Sequence, residues 1–216
     1  MVGTQISARD LFRAAYENRY TWDKSFPGYT ADVAYTHNGQ TYAGQVQVTA
    51  DLKPVVMGIT DEAAQKAIHG QLFEVAIHRI RRAFDDTHGQ NSFSYGAALP
   101  NGGVEILMGG KAEGDQYQVR KNEVTMVHRH IHNVVVTINT FSSHDTGEGY
   151  LSHRYDSVYH DPTTGEQKGS LSDFEDEYTK VGNYHILSRR YIETASSDEP
   201  DVQEFVFSNI ALMAGA

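Results

Sequence analysis

The chain has 216 residues, a formal net charge of −10 at pH 7 and no cysteine. That length fits one domain, 1–216, with enough chain to bury a core without covalent staples. Disulfides, thiolate metal sites and cysteine nucleophiles are excluded, and the acidic balance opposes phosphate backbones, so no nucleic-acid partner is expected.

Met1–Gln5 lacks a basic stretch followed by an apolar run, which argues against an export signal. Ser7, three residues before Asp10, has the spacing of an N-cap. Leu11, Ala14, Ala15 and Tyr16 share one helical stripe, so a short amphipathic helix is predicted over 8–20, stopped by Pro27-Gly28. Residues 29–37 and 41–49 alternate as strands around Asn38-Gly39, a two-residue hairpin turn. Residues 54–59 read as an edge strand, because Pro54 cannot donate to a ladder.

A long helix is predicted next, over 60–87. Thr60 suits its N-cap, Asp61 and Glu62 its first turn, and Arg79, Arg81 and Arg82 its last turns. Leu72, Phe73, Ala76, Ile77, Ile80 and Phe84 give it a broad apolar face. At about 1.5 Å per residue it spans roughly 35–40 Å, and a helix of that length needs a large sheet to lie against.

From residue 91 onward the pattern is strands and turns. The strands are 92–98, 104–109, 117–121, 124–131, 134–141, 150–159, 171–178, 184–194 and 202–212. No helix-length segment separates them, so the connections are hairpins and not βαβ crossovers. The expected fold class is α+β: a large, curved, meander-rich antiparallel sheet, an open half-barrel, wrapped over the long helix plus the short N-terminal helix. No apolar stretch approaches the roughly 18 residues of a transmembrane helix.

Two-fold periodicity sharpens the hairpins. With His132-Asn133 as the turn, Ile131 pairs with Val134, Arg129 with Val136 and Val127 with Ile138, which makes Arg129 an intruder on an apolar face. An arginine there is either paired with a carboxylate, the simpler reading, or points into a cavity holding water or an anionic ligand head. His128 and His130 fall on the mixed, wetter face. His-x-His on a strand supplies two imidazoles on one side, but no third ligand is evident, so the expectation is a hydrogen-bonded face and no metal. A loop at 179–183 places Glu177 opposite His185 and Asp173 opposite Arg189.

His69 lies near the middle of the long helix's apolar face. It reads either as a core histidine with one partner or as a polar anchor in an apolar pocket. His144, Asp145 and Glu148 form a polar loop group that reads as turn chemistry before acid–base chemistry. Gly109-Gly110-Lys111-Ala112 is not a phosphate-binding loop, and neither G-x-S-x-G nor H-E-x-x-H occurs. No catalytic residue and no cofactor are expected.

Several segments carry a likeness: Arg19-Tyr20-Thr21-Trp22-Asp23, Phe26-Pro27-Gly28-Tyr29, Val124 through His132, Thr146-Gly147-Glu148-Gly149-Tyr150-Leu151, and Tyr155-Asp156-Ser157-Val158-Tyr159. On these the chain resembles a family of uncharacterised proteins from cyanobacteria and chloroplasts. With no export signal and no transmembrane run read from the sequence, a soluble, cytoplasmic location is expected, or the chloroplast stroma for plastid relatives. More distantly, the order helix, hairpin, long helix, strand run resembles the bacterial lipoprotein-carrier folds, incompletely closed sheets over helices with a cavity for acyl chains. The leading expectation is therefore a non-enzymatic carrier of a hydrophobic small molecule (lipid, pigment or isoprenoid), with His69, Leu72, Phe73, Ala76, Ile80 and Arg129 as ligand-binding residues. An accessory or assembly factor acting through protein contacts ranks second, and a histidine/carboxylate enzyme third.

Overall fold

A computed structural model describes residues 6–214; Met1–Gln5, read above for an export signal, lies outside the described residues. The first helix, α1 (Ala8–Glu17), begins where Ser7 accepts a hydrogen bond from the Asp10 N–H at 3.1 Å. Its buried row is Ala8, Phe12, Ala15 and Tyr16, while Ala14 faces solvent. The expected stripe was thus turned slightly, because the large Phe12 ring takes the inward position.

Strands β1 (Gly28–His37) and β2 (Gln40–Thr49) form the predicted hairpin, with Thr36 opposite Thr41 and Gly28 opposite Thr49. Asn38 and Gly39 both have positive φ, 50° and 75°, as a primed two-residue turn demands. The short β3 (Pro54–Met57) pairs with β2 and is an edge strand.

The predicted long helix is shorter and broken. The second helix, α2, runs from Glu62 to His78, about 25 Å. Its N-cap is Asp61, not Thr60: the Asp61 carboxylate accepts the Ala64 N–H at 2.8 Å. Past His78 the chain leaves the helix. Trp22 donates its N–H to the Arg79 carbonyl at 2.8 Å and bridges to Ile80 in parallel, so strand-like backbone pairing replaces further helical bonds. A separate short helix, α3 (Phe84–His88), follows.

The remaining strands are β4 (Asn91–Ala98), β5 (Val104–Gly110), β6 (Gln116–Arg120), β7 (Glu123–Ile131), β8 (Val134–Asp145), β9 (Tyr150–His160), β10 (Gln167–Val181), β11 (Tyr184–Thr194) and β12 (Asp201–Leu212). All twelve form one open antiparallel sheet in the order β3-β2-β1-β12-β11-β10-β9-β8-β7-β6-β5-β4. The β7–β8 register is the predicted one, Ile131 opposite Val134 and Arg129 opposite Val136.

The chain divides into two compact units: Met1–Tyr20 with Arg82–Ser172, and Thr21–Arg81 with Asp173–Ala216. In the first, Phe12 of α1 centres an aromatic cluster. Its ring lies 4.7 Å from Tyr117, 5.2 Å from His88, 5.7 Å from Phe93 and 6.1 Å from Phe84. Phe84, expected on the long helix's apolar face, belongs here. In the second unit Trp22 stacks on Phe26 at 4.0 Å, and Tyr35 on Phe205 at 4.5 Å. Tyr29, Val46, Val48, Ile186 and Leu187 are fully buried there.

Candidate functional site

In the second unit, α2 packs against β2 and β3 with one narrow row, Ala64, Ile68, Leu72, Val75 and Ala76. These positions follow the i, i+4, i+8, i+11 repeat of a helix with a single packed side. Next to that row runs a second stripe at the same spacing, His69, Phe73 and Ile77. It is exposed: Phe73 by 49% and Ile77 by 37%. The His69 and Phe73 rings lie nearly parallel, 8° apart with centroids 6.4 Å apart. Three expectations are corrected. His69 is on the exposed stripe and not in the core, and Phe73 and Ile77 are not packed on the sheet. The cause is a phase error: with Leu72 and Val75 inward, the 100° step per residue carries positions 69, 73 and 77 to the edge of the packed face. Leu72 and Ala76 are core residues; Ile80 is half-buried beyond the helix end.

Behind α2 lies a buried ionic network that the sequence reading missed. Arg190 and Asp176 are 3% and 1% exposed. The guanidinium donates in bidentate fashion, Nε to Oδ1 at 2.7 Å and Nη2 to Oδ2 at 2.6 Å, and gives Nη1 to Gln71 Oε1 of α2 at 2.8 Å. Tyr178 donates to Asp176 at 3.2 Å and accepts from Arg79 Nη2 at 3.1 Å. Burial pushes the Tyr178 phenol up, so it remains protonated. Strand alternation carried the signal: Arg190 shares a face with Ile186 and Ile192, and Asp176 with Phe174 and Tyr178. Arg190 and Asp176 satisfy each other, whereas Arg79 Nε is buried without a hydrogen-bond partner among the described residues; removing one member of a buried pair such as Arg190–Asp176 costs about 3–5 kcal/mol. Arg189, next along, pairs with Glu175 at 3.1 Å and Glu204 at 2.7 Å, so the expected partner Asp173 is displaced by two residues.

A cleft of about 510 Å³ opens near the start of α2, between Gln40, Tyr42 and Ala43 of β2 and the 58–61 segment. It is shallow, its walls are mainly polar, and none of the predicted ligand residues lines it.

Arg129 belongs to the first unit, on β7, whereas the other five predicted ligand residues belong to the second. It is exposed and makes no ion pair or hydrogen bond among the described residues, so the expected salt bridge is absent. Its face continues through Val127, which is opposite Tyr117 of β6, into the aromatic cluster. On the other face His128 Nδ1 bonds Thr137 Oγ1 at 2.9 Å. Asp115 Oδ1, buried, accepts from the His130 backbone N–H and meets His130 Nδ1, both at 2.9 Å. Burial lowers the His128 pKa, with His130 adding to the effect. Both histidines thus use one ring nitrogen inside the sheet.

The 145–150 segment is a turn. Asp145 Oδ1 accepts the Gly147 N–H at 2.9 Å, and Thr146 Oγ1 accepts the Glu148 N–H at 3.1 Å. At Gly149, with φ of 138°, an added Cβ would stand 2.5 Å from the Asn18 carbonyl oxygen. The glycine allows residues 18–20 to run beside Tyr150, where Arg19 bridges in parallel.

These features define an open antiparallel-sheet domain with one helix carrying a spare apolar stripe. The chain belongs to the family described as protein of unknown function DUF3386, whose model matches residues 3–213. The likeness to a family of uncharacterised proteins is thereby established. Among solved structures the chain is similar to a LolA superfamily protein from Nitrosomonas europaea, at 13% identity over 98% of this chain and 96% of that one, with a TM-score of 0.38. It is also similar to a chain of the MucA/MucB complex of Pseudomonas aeruginosa, at 9% identity over 96% and 99%, with a TM-score of 0.26. No curated protein matches it. Among the described residues no helix is long and apolar enough to cross a membrane.

Proposed function

We propose that this protein is a non-enzymatic carrier that holds a hydrophobic small molecule, of the lipid, pigment or isoprenoid class, against the exposed stripe of α2, in a photosynthetic organism. The observation that carries the reading is the exposure of Phe73 and Ile77 one helical turn apart, on a helix whose packed row is already complete without them. Isolated exposed apolar residues are ordinary, but two large ones in a row with a stacked imidazole make a continuous contact line. His69 then supplies a polar end to an apolar strip, and Leu72 and Ala76 support it from beneath. Phe73 and Ile80 keep the contact role read from the sequence. The order of elements, resembling the lipoprotein carriers, fits the same reading.

The test is titration of the folded protein with a neutral apolar dye such as Nile red. Saturable binding near 1:1 is expected. Phe73→Glu places a charge in the middle of the stripe and should weaken binding about tenfold or more, the equivalent of about 1.4 kcal/mol. Dye binding that is absent, or indifferent to Phe73→Glu and Ile77→Glu, would remove the carrier reading.

A further inference from the structure

The first unit holds a second constellation, independent of α2. Four polar groups around its aromatic cluster each keep a donor with no hydrogen-bond acceptor among the described residues. The Arg19 guanidinium lies 3.9 Å over the Tyr16 ring and gives Nε to the Tyr16 carbonyl, which leaves both Nη groups free. Arg129 makes no ion pair or hydrogen bond among the described residues. Its neighbours on the far side of the cluster differ: Arg9 and Arg13, each 5.4 Å over the Phe84 ring, are neutralised by Asp85 and Glu17. The Tyr117 hydroxyl is on a residue 6% exposed and has no hydrogen-bond partner among the described residues. His88 is equally buried, and its Nδ1 is taken by the Asn91 amide at 3.1 Å. Because that amide nitrogen only donates, Nδ1 accepts and the His88 proton resides on Nε2.

All four groups are therefore donors. The Tyr16 ring beneath Arg19 is 5.0 Å from His88, and both His88 and Tyr117 touch Phe12. Arg129 follows Val127, the residue opposite Tyr117, on one strand face. Both arginines act electrostatically on both buried rings: burial first, then Arg129 and Arg19, lower the His88 pKa to about 4, and both arginines oppose the rise of Tyr117 to about 12. The nearby carboxylate, Asp115, is engaged by His130.

We propose that this part of the first unit binds an organic carboxylate, with its oxyanion head held by Arg19 and Arg129 beside the Tyr117 hydroxyl and the His88 Nε2–H, and its apolar body on the aromatic cluster. A set in which every group can donate is matched by a group that only accepts, and guanidinium forks suit carboxylates in geometry. A monoanion suits this setting better than a dianion, since taking the second charge out of water beside aromatic walls costs more than the half-buried Arg19 and the exposed Arg129 return.

Fluorescence titration with pyrenebutyrate, and in parallel with the neutral pyrenebutanol, tests the assignment. The acid should bind saturably and at least tenfold more tightly than the alcohol. Arg129→Gln, at an exposed position that folding does not need, should remove about tenfold from the acid and nothing from the alcohol. Tyr117→Phe, which deletes one hydroxyl, should act in the same direction. The effect of Arg129→Gln on the acid should persist in a Phe73→Glu background, which separates this site from the stripe on α2. Equal binding of acid and alcohol, indifference to Arg129→Gln, or displacement of the acid by inorganic phosphate at equal concentration would overturn it.

Discussion

Burial lowers the basicity of His88 more than any neighbouring charge does. His88 is held among Phe12, Tyr16 and Phe84, and desolvation there, with Arg129 and Arg19 adding to it, lowers its pKa from 6.5 to about 4. The sign follows from linkage. A histidine whose folded pKa is depressed binds its proton more readily when unfolded, so its contribution is complete above about pH 6.5 and is lost as pH falls towards 4. Across that window wild-type protein should lose roughly 3 kcal/mol relative to His88→Gln, read from urea midpoints at both pH values. Parallel pH profiles for the two proteins would show that His88 is solvated. Arg190 and Asp176 make the opposite case, two charges buried together because each supplies the other's hydrogen bonds.

At the scale of elements, several residues that dictate backbone geometry were read correctly, though the N-cap of α2 is Asp61 and not Thr60. Ser7 starts α1, Asn38-Gly39 turns the first hairpin and His132 enters the turn between β7 and β8 with φ of 52°. Period-2 alternation located all nine strands after residue 91. The long helix failed because its composition stays helix-compatible through Arg82; what ends it is Trp22, 57 positions upstream, pairing with Arg79 and Ile80. Helical propensity carries no record of such a partner. The faces of α2 failed for a related reason, since Leu72, Phe73, Ala76 and Ile77 are all apolar and packing alone selects among them. A stability comparison separates the two stripes. Leu72→Ala should cost about 2–5 kcal/mol, as a fully buried leucine does, whereas Phe73→Ala should cost well under 1 kcal/mol. Chemical denaturation of both variants reads the difference, and similar losses would mean that Phe73 is packed. Of the candidate ligand residues, Phe73 was chosen for being apolar and Arg129 for being out of place on an apolar strand face; local sequence records neither which side of α2 packs nor what meets the β7 face.

For the molecule as a whole, the central claim is that a twelve-stranded open sheet carries a helix with apolar surface left for a ligand. A protein with no use for that surface gains solubility by losing it, so the stripe is expected to be covered when ligand is present. Native mass spectrometry of the protein purified from its own host tests this most directly. The account predicts a folded charge-state series in which a fraction carries one apolar small molecule, and loss of that adduct in the Phe73→Glu variant. A folded wild-type protein of bare polypeptide mass, unchanged after incubation with lipid extract from the same host, would contradict it.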